Sequence, residues 1–190
     1  MGGDLTNKKK HNNMACDINS GRTLSCKDAV GGLKNIYFIN YADITSNPLV
    51  YDSVTETVTG ITTTGLTEIY KYELHLGNDL TQNVQSSPEN GTLYFEQVLS
   101  VTLKKLSAVD NVKVKTLSSG NPIIIVEDQM GNFMFVGRKN GADVTSGTAV
   151  TGNAFGDLNG YTLSFTGSEP TLANFYTGTL ATDFVIVVGV

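Results

Sequence analysis

From Leu66 to Leu76 the even positions read Leu, Glu, Tyr, Tyr, Leu, Leu, while the odd ones carry Thr67, Lys71, Glu73 and His75. That period of two predicts a two-faced strand. The polar stretch GNDLTQNVQSSPENG follows and ends in Asn90-Gly91, a turn signal. Alternation then resumes, with Leu93, Phe95, Leu99, Val101 and Leu103 on one face and Glu96, Ser100, Thr102 and Lys104 on the other. At about 3.3 Å per residue this second strand spans roughly 35 Å, about twice the usual length. Strands this long suit an extended surface or a tube wall better than a compact pocket.

The period changes at SAVDNVKVKTLSSGNP. Ser107 with Asp110 three residues on resembles a capping box; Val109, Val112, Thr116 and Leu117 share a helical face; Gly120 and Pro122 give a stop. One short amphipathic helix is expected. Residues 122–128 (PIIIVED) and 132–137 (NFMFVG) flank Gln129-Met130-Gly131 and predict a hairpin. Glu127 and Asp128 are adjacent, so in a strand they point to opposite faces; a turn-edge role is expected rather than a paired-carboxylate acid/base site. The run from Phe184 to Val188 is apolar on both faces and must be covered, within its own domain or by a neighbouring subunit's sheet.

Between hairpin and terminus lies GADVTSGTAVTGNAFGDLNGYTLSFTG, rich in glycine and without a lysine, arginine or histidine. It is not a phosphate cradle: Asn153 and Ala154 stand where a P-loop needs lysine and Ser/Thr, and no G-x-G-x-x-G occurs. Tyr161, Leu163 and Phe165 alternate with Thr162, Ser164 and Thr166. The stretch reads as a long loop entering a strand.

Composition favours this β-rich reading. Thr and Gly are abundant, Pro is sparse and Trp is absent, which suits strands joined by glycine turns. The 190 residues suffice for one domain. Residues 1–13 form a polar leader, expected to be flexible, ahead of a single domain over 14–190. The formal charge is −5; without Lys8, Lys9, Lys10 and Asp4 of the leader, ten cations stand against seventeen acids, or −7. Such a surface repels phosphate backbones, which argues against specific nucleic-acid binding but not against a surface past which nucleic acid slides.

Signals for chemistry are missing. There is no G-x-S-x-G, no H-E-x-x-H and no catalytic Cys/His signature, and the histidines are His11 and His75 alone. No enzyme activity, cofactor or metal is expected. Cys16 and Cys26 lie too far apart for a C-x2-C clip and are read as structural thiols, with a disulfide open only to an oxidising setting. Asn90-Gly91-Thr92 matches a glycosylation sequon but, without a secretory signal, reads as a turn.

Three segments together carry a resemblance: CDINSGRTLSCKDAVGGLKNIYFINY, TLYFEQVLSVTLKKLSAVDNVKVKTLSSGNPIIIVEDQMGNFMFVGR and NGADVTSGTAVTGNAFGDLNGYTLSFTGSEP. They are similar to tail tube and related virion structural proteins of tailed bacteriophages, particularly those of Bacteroidetes-type hosts. The likeness covers most of Met14 to Pro170. It implies a mainly β fold of two packed antiparallel sheets with one flanking helix, assembled as six-membered rings that stack into a β-lined channel for DNA. By position, 66–76 and 92–104 would be the long inner-sheet strands and 108–118 the flanking helix. Lys71, Glu73, Glu96 and Lys104 would face the lumen. Gly141, Asp143, Gly147, Gly152, Asp157 and Gly160 would mark an inter-ring loop, loose in the free subunit and ordered on stacking.

The partners this implies are copies of itself, other tail or baseplate proteins and a sheath. DNA would pass without sequence-specific binding and no membrane would be entered; the location would be the virion tail, after synthesis in the host cytoplasm. Two other readings stand beside it. One is a capsid decoration or head-tail connector protein. The other is a carbohydrate-binding β-sandwich, for which the tyrosines would have to form an exposed cluster; Tyr70 and Tyr72 share the apolar face with Leu74, so core packing is their expected use.

Overall fold

The computed structural model describes residues 20–24 and 27–189. The expectations for residues 1–13, His11, Cys16 and Cys26 lie outside them. In chain order the elements are β1 (Leu33–Ile39), α1 (Tyr41–Ser46), β2 (Leu49–Asp52), β3 (Thr57–Ile61), β4 (Thr67–Glu73), β5 (Asp79–Ser87), β6 (Thr92–Lys104), α2 (Ala108–Ser119), β7 (Ile123–Asp128), β8 (Phe133–Val136), β9 (Asp143–Val150), β10 (Gly160–Glu169), β11 (Asn174–Tyr176), α3 (Leu180–Asp183) and β12 (Phe184–Val188). The fold is mainly β. A curled eight-stranded sheet runs β12-β4-β1-β7-β8-β11-β3-β2, and a separate antiparallel sheet runs β5-β6-β10-β9. Within the larger sheet β12 joins β4, and β11 joins β3, in parallel; the remaining pairings are antiparallel.

Strands β1 and β7 contain the continuous apolar runs Ile36–Ile39 and Ile123–Val126, the pattern of strands buried on both faces. One face of the pair carries Ile36, Phe38, Ile124 and Val126 into a core shared with Leu99, Val101, Leu163 and Phe165 of the four-stranded sheet. The other carries Tyr37, Ile39, Ile123 and Ile125 into a second core with Val58, Ile69, Phe135, Tyr176 and Phe184, enclosed by the curl of the larger sheet. Phe38 spans the sheet interface, its ring 5.3 Å from that of Phe165 and 5.0 Å from that of Tyr72.

Helix α2 covers one flank of the first core. Ser107 caps it as expected, accepting from the Asp110 backbone N–H at 3.0 Å. Its phase differs from the sequence expectation: Val109 and Val112 are exposed, and Val114 and Leu117 pack on the core. With three β-branched residues among its apolar positions, the stripe has no sharp centre, so contact with the sheet decides which side is buried. Short α1 and α3 were not expected from the sequence.

Two further expectations are corrected, and one that left two outcomes open is resolved. Residues 66–76 and 92–104 are not neighbours in one inner sheet: β4 belongs to the larger sheet and β6 to the smaller. In β4 the odd positions Thr67 and Ile69 are buried in the second core while Tyr72 and Leu74 pack on the first, because the strand lies between two cores and both faces are used. Tyr70, on the even face, is partly exposed and donates to Glu68. The run Phe184–Val188 takes the first of its two expected outcomes: it pairs with β4 in its own chain, and Phe184 and Ile186 pack on the second core.

The β7–β8 hairpin forms as expected, and Asp128 holds its turn, accepting the backbone N–H groups of Met130 and Asn132 at 2.8 Å each. Glu127 departs from the turn-edge reading. It is buried, and its carboxylate accepts from Asn35 Nδ2 at 2.6 Å, Tyr37 Oη at 3.1 Å and Lys34 Nζ at 3.1 Å. Burial alone would push this carboxyl up, but the three hydrogen bonds outweigh it and hold it below its ordinary value. A group depressed in the folded state contributes stability that is complete above its unfolded pKa and lost as pH falls through the folded one. The expected result is that Glu127→Gln lowers unfolding free energy by about 1–3 kcal/mol at neutral pH, as one donor is left facing an amide N–H. In denaturant titrations that deficit should shrink as the pH drops through the carboxylate range; a deficit independent of pH would contradict the assignment.

Candidate functional site

The four-stranded sheet has one face in the core and one in solvent. Register places Thr162 opposite Thr102 and Thr148, Ser164 opposite Ser100 and Ser146, and Thr166 opposite Val98. On the other flank, Asp79, Thr81, Asn83 and Gln85 stand opposite Ser100, Val98, Glu96 and Tyr94. The intervening residues Leu99, Val101, Leu163 and Phe165 point into the core, as strand alternation requires. The result is a broad outer face of hydroxyl and amide groups, with Tyr94, Val98 and Val150 as its apolar members.

These groups bond across the strands. Thr145 Oγ1 lies 3.0 Å from Thr166 Oγ1, and the Asn83 and Gln85 amides both donate to Glu96 Oε2 at 3.4 Å. Ionisable groups are few: Asp79, Glu96 and Asp143 against Lys104. Three carboxylates against one ammonium give a hydrated face of weakly negative character, on which a polyanion finds no cluster of cations to hold it. Strands β5 and β9 are the two edges of this sheet and carry no further strand among the described residues. Such edges are templates for strand addition.

A set of buried polar contacts fixes the smaller sheet to the larger. Gln97 Oε1 accepts the Gly137 N–H at 2.9 Å, and Glu169 Oε1 accepts the N–H groups of Lys139 and Asn140 at 3.0 and 2.7 Å. Together they cradle the turn from β8 to β9, where the chain crosses between sheets. Gly137 and Gly141 take positive φ there (64° and 81°), conformations that a side chain would strain.

Of the residues expected to line a lumen, Glu96 and Lys104 lie on the outer face of β6. Lys71 and Glu73 lie on β4 in the other sheet, paired with each other at 2.9 Å; the Lys71 hydrogen bond and charge hold Glu73 below its usual range. The expected lumen set is therefore divided between two sheets, because β4 pairs with β1 and not with β6. The expected inter-ring loop is also altered. Asp143 and Gly147 belong to strand β9, and Gly160 opens β10; the connecting loop is 151–159, containing Gly152 and Asp157. Gly141 belongs to the crossover turn.

What sequence reading missed is the contribution of β5 and β9 to the polar face. The signal in β5 was present but faint: Leu80, Gln82 and Val84 alternate with Thr81, Asn83 and Gln85. In β9 a bulge interrupts the alternation between Val144 and Ser146, so the period breaks. Among the described residues no cluster of His, Cys, Asp and Glu could hold a metal, and no helix is long and apolar enough to cross a membrane. Compared with protein-family models, with curated proteins and with solved structures, the chain matches none.

The glycines around the connecting loop separate by role. A Cβ on Gly160 would sit 2.2 Å from the Leu103 carbonyl oxygen, whereas one on Gly156 would meet nothing within 4 Å. Gly160→Ala is expected to cost about 1–3 kcal/mol by forcing β10 from β6; Gly156→Ala should stay within about 0.5 kcal/mol of wild type. Thermal melts of the two variants check this, and equal melting temperatures would contradict the close approach.

Proposed function

We propose that the protein is a tail tube subunit of a tailed bacteriophage, polymerising as stacked, six-membered rings around a channel for DNA. The observation that carries this reading is the four-stranded sheet: one face packed along β6 and β10 against a core, the other mostly hydroxyl and amide, and a strand edge on either side that no described residue pairs. Edge-to-edge addition of such sheets, β5 of one copy beside β9 of the next, would extend a single curved wall whose exposed face is mostly hydroxyl and amide. Identical contacts repeated by rotation close into a ring. A lumen so lined keeps its water layer and repels rather than binds the phosphate backbone, the property a DNA conduit needs. The similarity of the three sequence segments to tail tube proteins supports the same reading. Other tail or baseplate proteins are then the natural partners at the ends of the tube, and the virion is its place.

Negative-stain electron microscopy over a concentration series tests this, with hollow tubes or stacked rings of uniform diameter expected; monomers at every concentration would sink the reading. The chemistry of the lumen has its own check. Thr81→Lys combined with Ser164→Lys places two ammonium groups on the polar face without setting them directly opposite each other. The expected outcome is normal tubes that retain double-stranded DNA at low salt, where wild-type tubes release it in co-sedimentation. DNA release equal to that of wild type would show that this face does not line the channel.

A further inference from the structure

Helix α2 and strand β9 leave an open groove of about 460 Å³ between them. It exists because the core-facing side of β9 carries small residues: Ala149 is exposed at the groove, and Gly147 lets the Leu163 side chain lie against the strand, where a Cβ would meet it at 2.8 Å. Val144 and Val114 supply apolar walls, and Lys115 lines the rim.

The same chain carries an apolar group of the right kind with no contact of its own. Phe155, in the loop from β9 to β10, is fully exposed. Its exposure is built in. Asp157 Oδ2 accepts the backbone N–H groups of Asn153 and Ala154 at 2.8 and 2.7 Å, and the Ala154 carbonyl accepts the Asp157 N–H at 3.1 Å. The Ala154 and Asn153 hydrogen bonds hold the Asp157 carboxyl below its ordinary value. A turn fixed in this way holds the backbone at Phe155 in one conformation and turns its side chain out to solvent. Preorganised aromatic anchors of this sort are what interface hot spots are made of.

We infer that Phe155 of one copy inserts into the α2–β9 groove of a second copy. Charge favours this occupant. Asp157 is the loop's one charged residue; both turn bonds fall on its Oδ2, so Oδ1 is available to the Lys115 ammonium at the groove's rim. Because the loop tip and the groove are different patches, the contact is head-to-tail, the kind that propagates into rings or stacks rather than closing as a two-fold dimer. The inference deepens the tube reading, on which it rests for the second copy as occupant.

Two variants and their mixture test it. Phe155→Ser removes the anchor and leaves the groove; Ala149→Trp fills the groove and leaves the anchor. Both sites are exposed, so both variants should melt like wild type. Each alone should need about tenfold or more protein than wild type to assemble. In sedimentation velocity at high protein concentration, where even one modest contact is populated, a one-to-one mixture should hold a larger dimer fraction than either variant alone, since the intact anchor of one meets the intact groove of the other. Tubes from Phe155→Ser at wild-type concentration would overturn the inference and leave the tube reading standing. A mixture whose dimer fraction does not exceed that of either variant alone would overturn the pairing of this loop with this groove. Wild type that never self-associates would overturn both readings and assign Phe155 to a partner other than its own kind.

Discussion

Everything in this fold is hung on the pairing of β1 with β7. These two strands separate two cores: Ile36–Ile39 and Ile123–Val126 alternate between one core and the other, and of the two strands only Lys34 is exposed. Burying an aliphatic or aromatic side chain is worth about 1.5–3 kcal/mol, and the central residues Ile36, Ile39, Ile123, Ile124, Ile125 and Val126 are all completely buried. Their outer neighbours β4 and β8 extend the same division, with Ile69 and Phe135 in the second core and Tyr72 and Val136 on the first. The polar end of the β1–β7 pair is closed by Glu127, whose hydrogen bonds from Asn35, Tyr37 and Lys34 draw together the two strands where the apolar run stops.

That arrangement frees the smaller sheet for another purpose. Because the larger sheet supplies an enclosed core of its own, the four-stranded sheet need commit only one face to folding. Its attachment is specified by polar contacts as well as apolar ones: Gln97 and Glu169 satisfy the backbone of the crossover turn, which would otherwise bury unpaired N–H groups. The outer face then carries no packing duty. Its Ser, Thr, Asn and Gln residues are good strand or edge residues that bring little charge, and this is what distinguishes it from an ordinary solvated surface.

Much of this was legible in the sequence where the period was unbroken. The two faces of β6 and β10, the Ser107 cap and the β7–β8 hairpin follow from alternation, capping chemistry and a glycine turn. Sheet membership was not legible, because period two reports that a strand has two faces and is silent on its neighbours; 66–76 and 92–104 were both expected in an inner sheet, whereas β4 pairs with β1 and β12 in the larger sheet. Glu127 was misread for a related reason. Adjacent acids at a hairpin suggest the turn, and only the pairing with β1, some ninety residues earlier, brings Asn35 and Tyr37 to its carboxylate. Strand β9 was hidden by its glycine and by the bulge.

The ordered state of residues 143–157 changes the energetics of assembly under the tube reading. A loop that ordered only on stacking would spend binding energy on fixing its own backbone, at about 1–2 kcal/mol per residue. Here β9 is already paired to β10, and Asp157 already holds the turn, so little of that cost is left for the encounter. Restraint on premature assembly then cannot come from disorder in this segment. It has to come from the weakness of any single contact: one Phe155 in one open groove, with a screened Asp157–Lys115 attraction, is a modest interaction between two subunits. Six such contacts between two closed rings act together, and their effective concentration makes the second and later contacts far easier than the first. Stacking would thus depend on prior ring closure by the edges of the polar sheet, which orders the two steps without any loop having to fold.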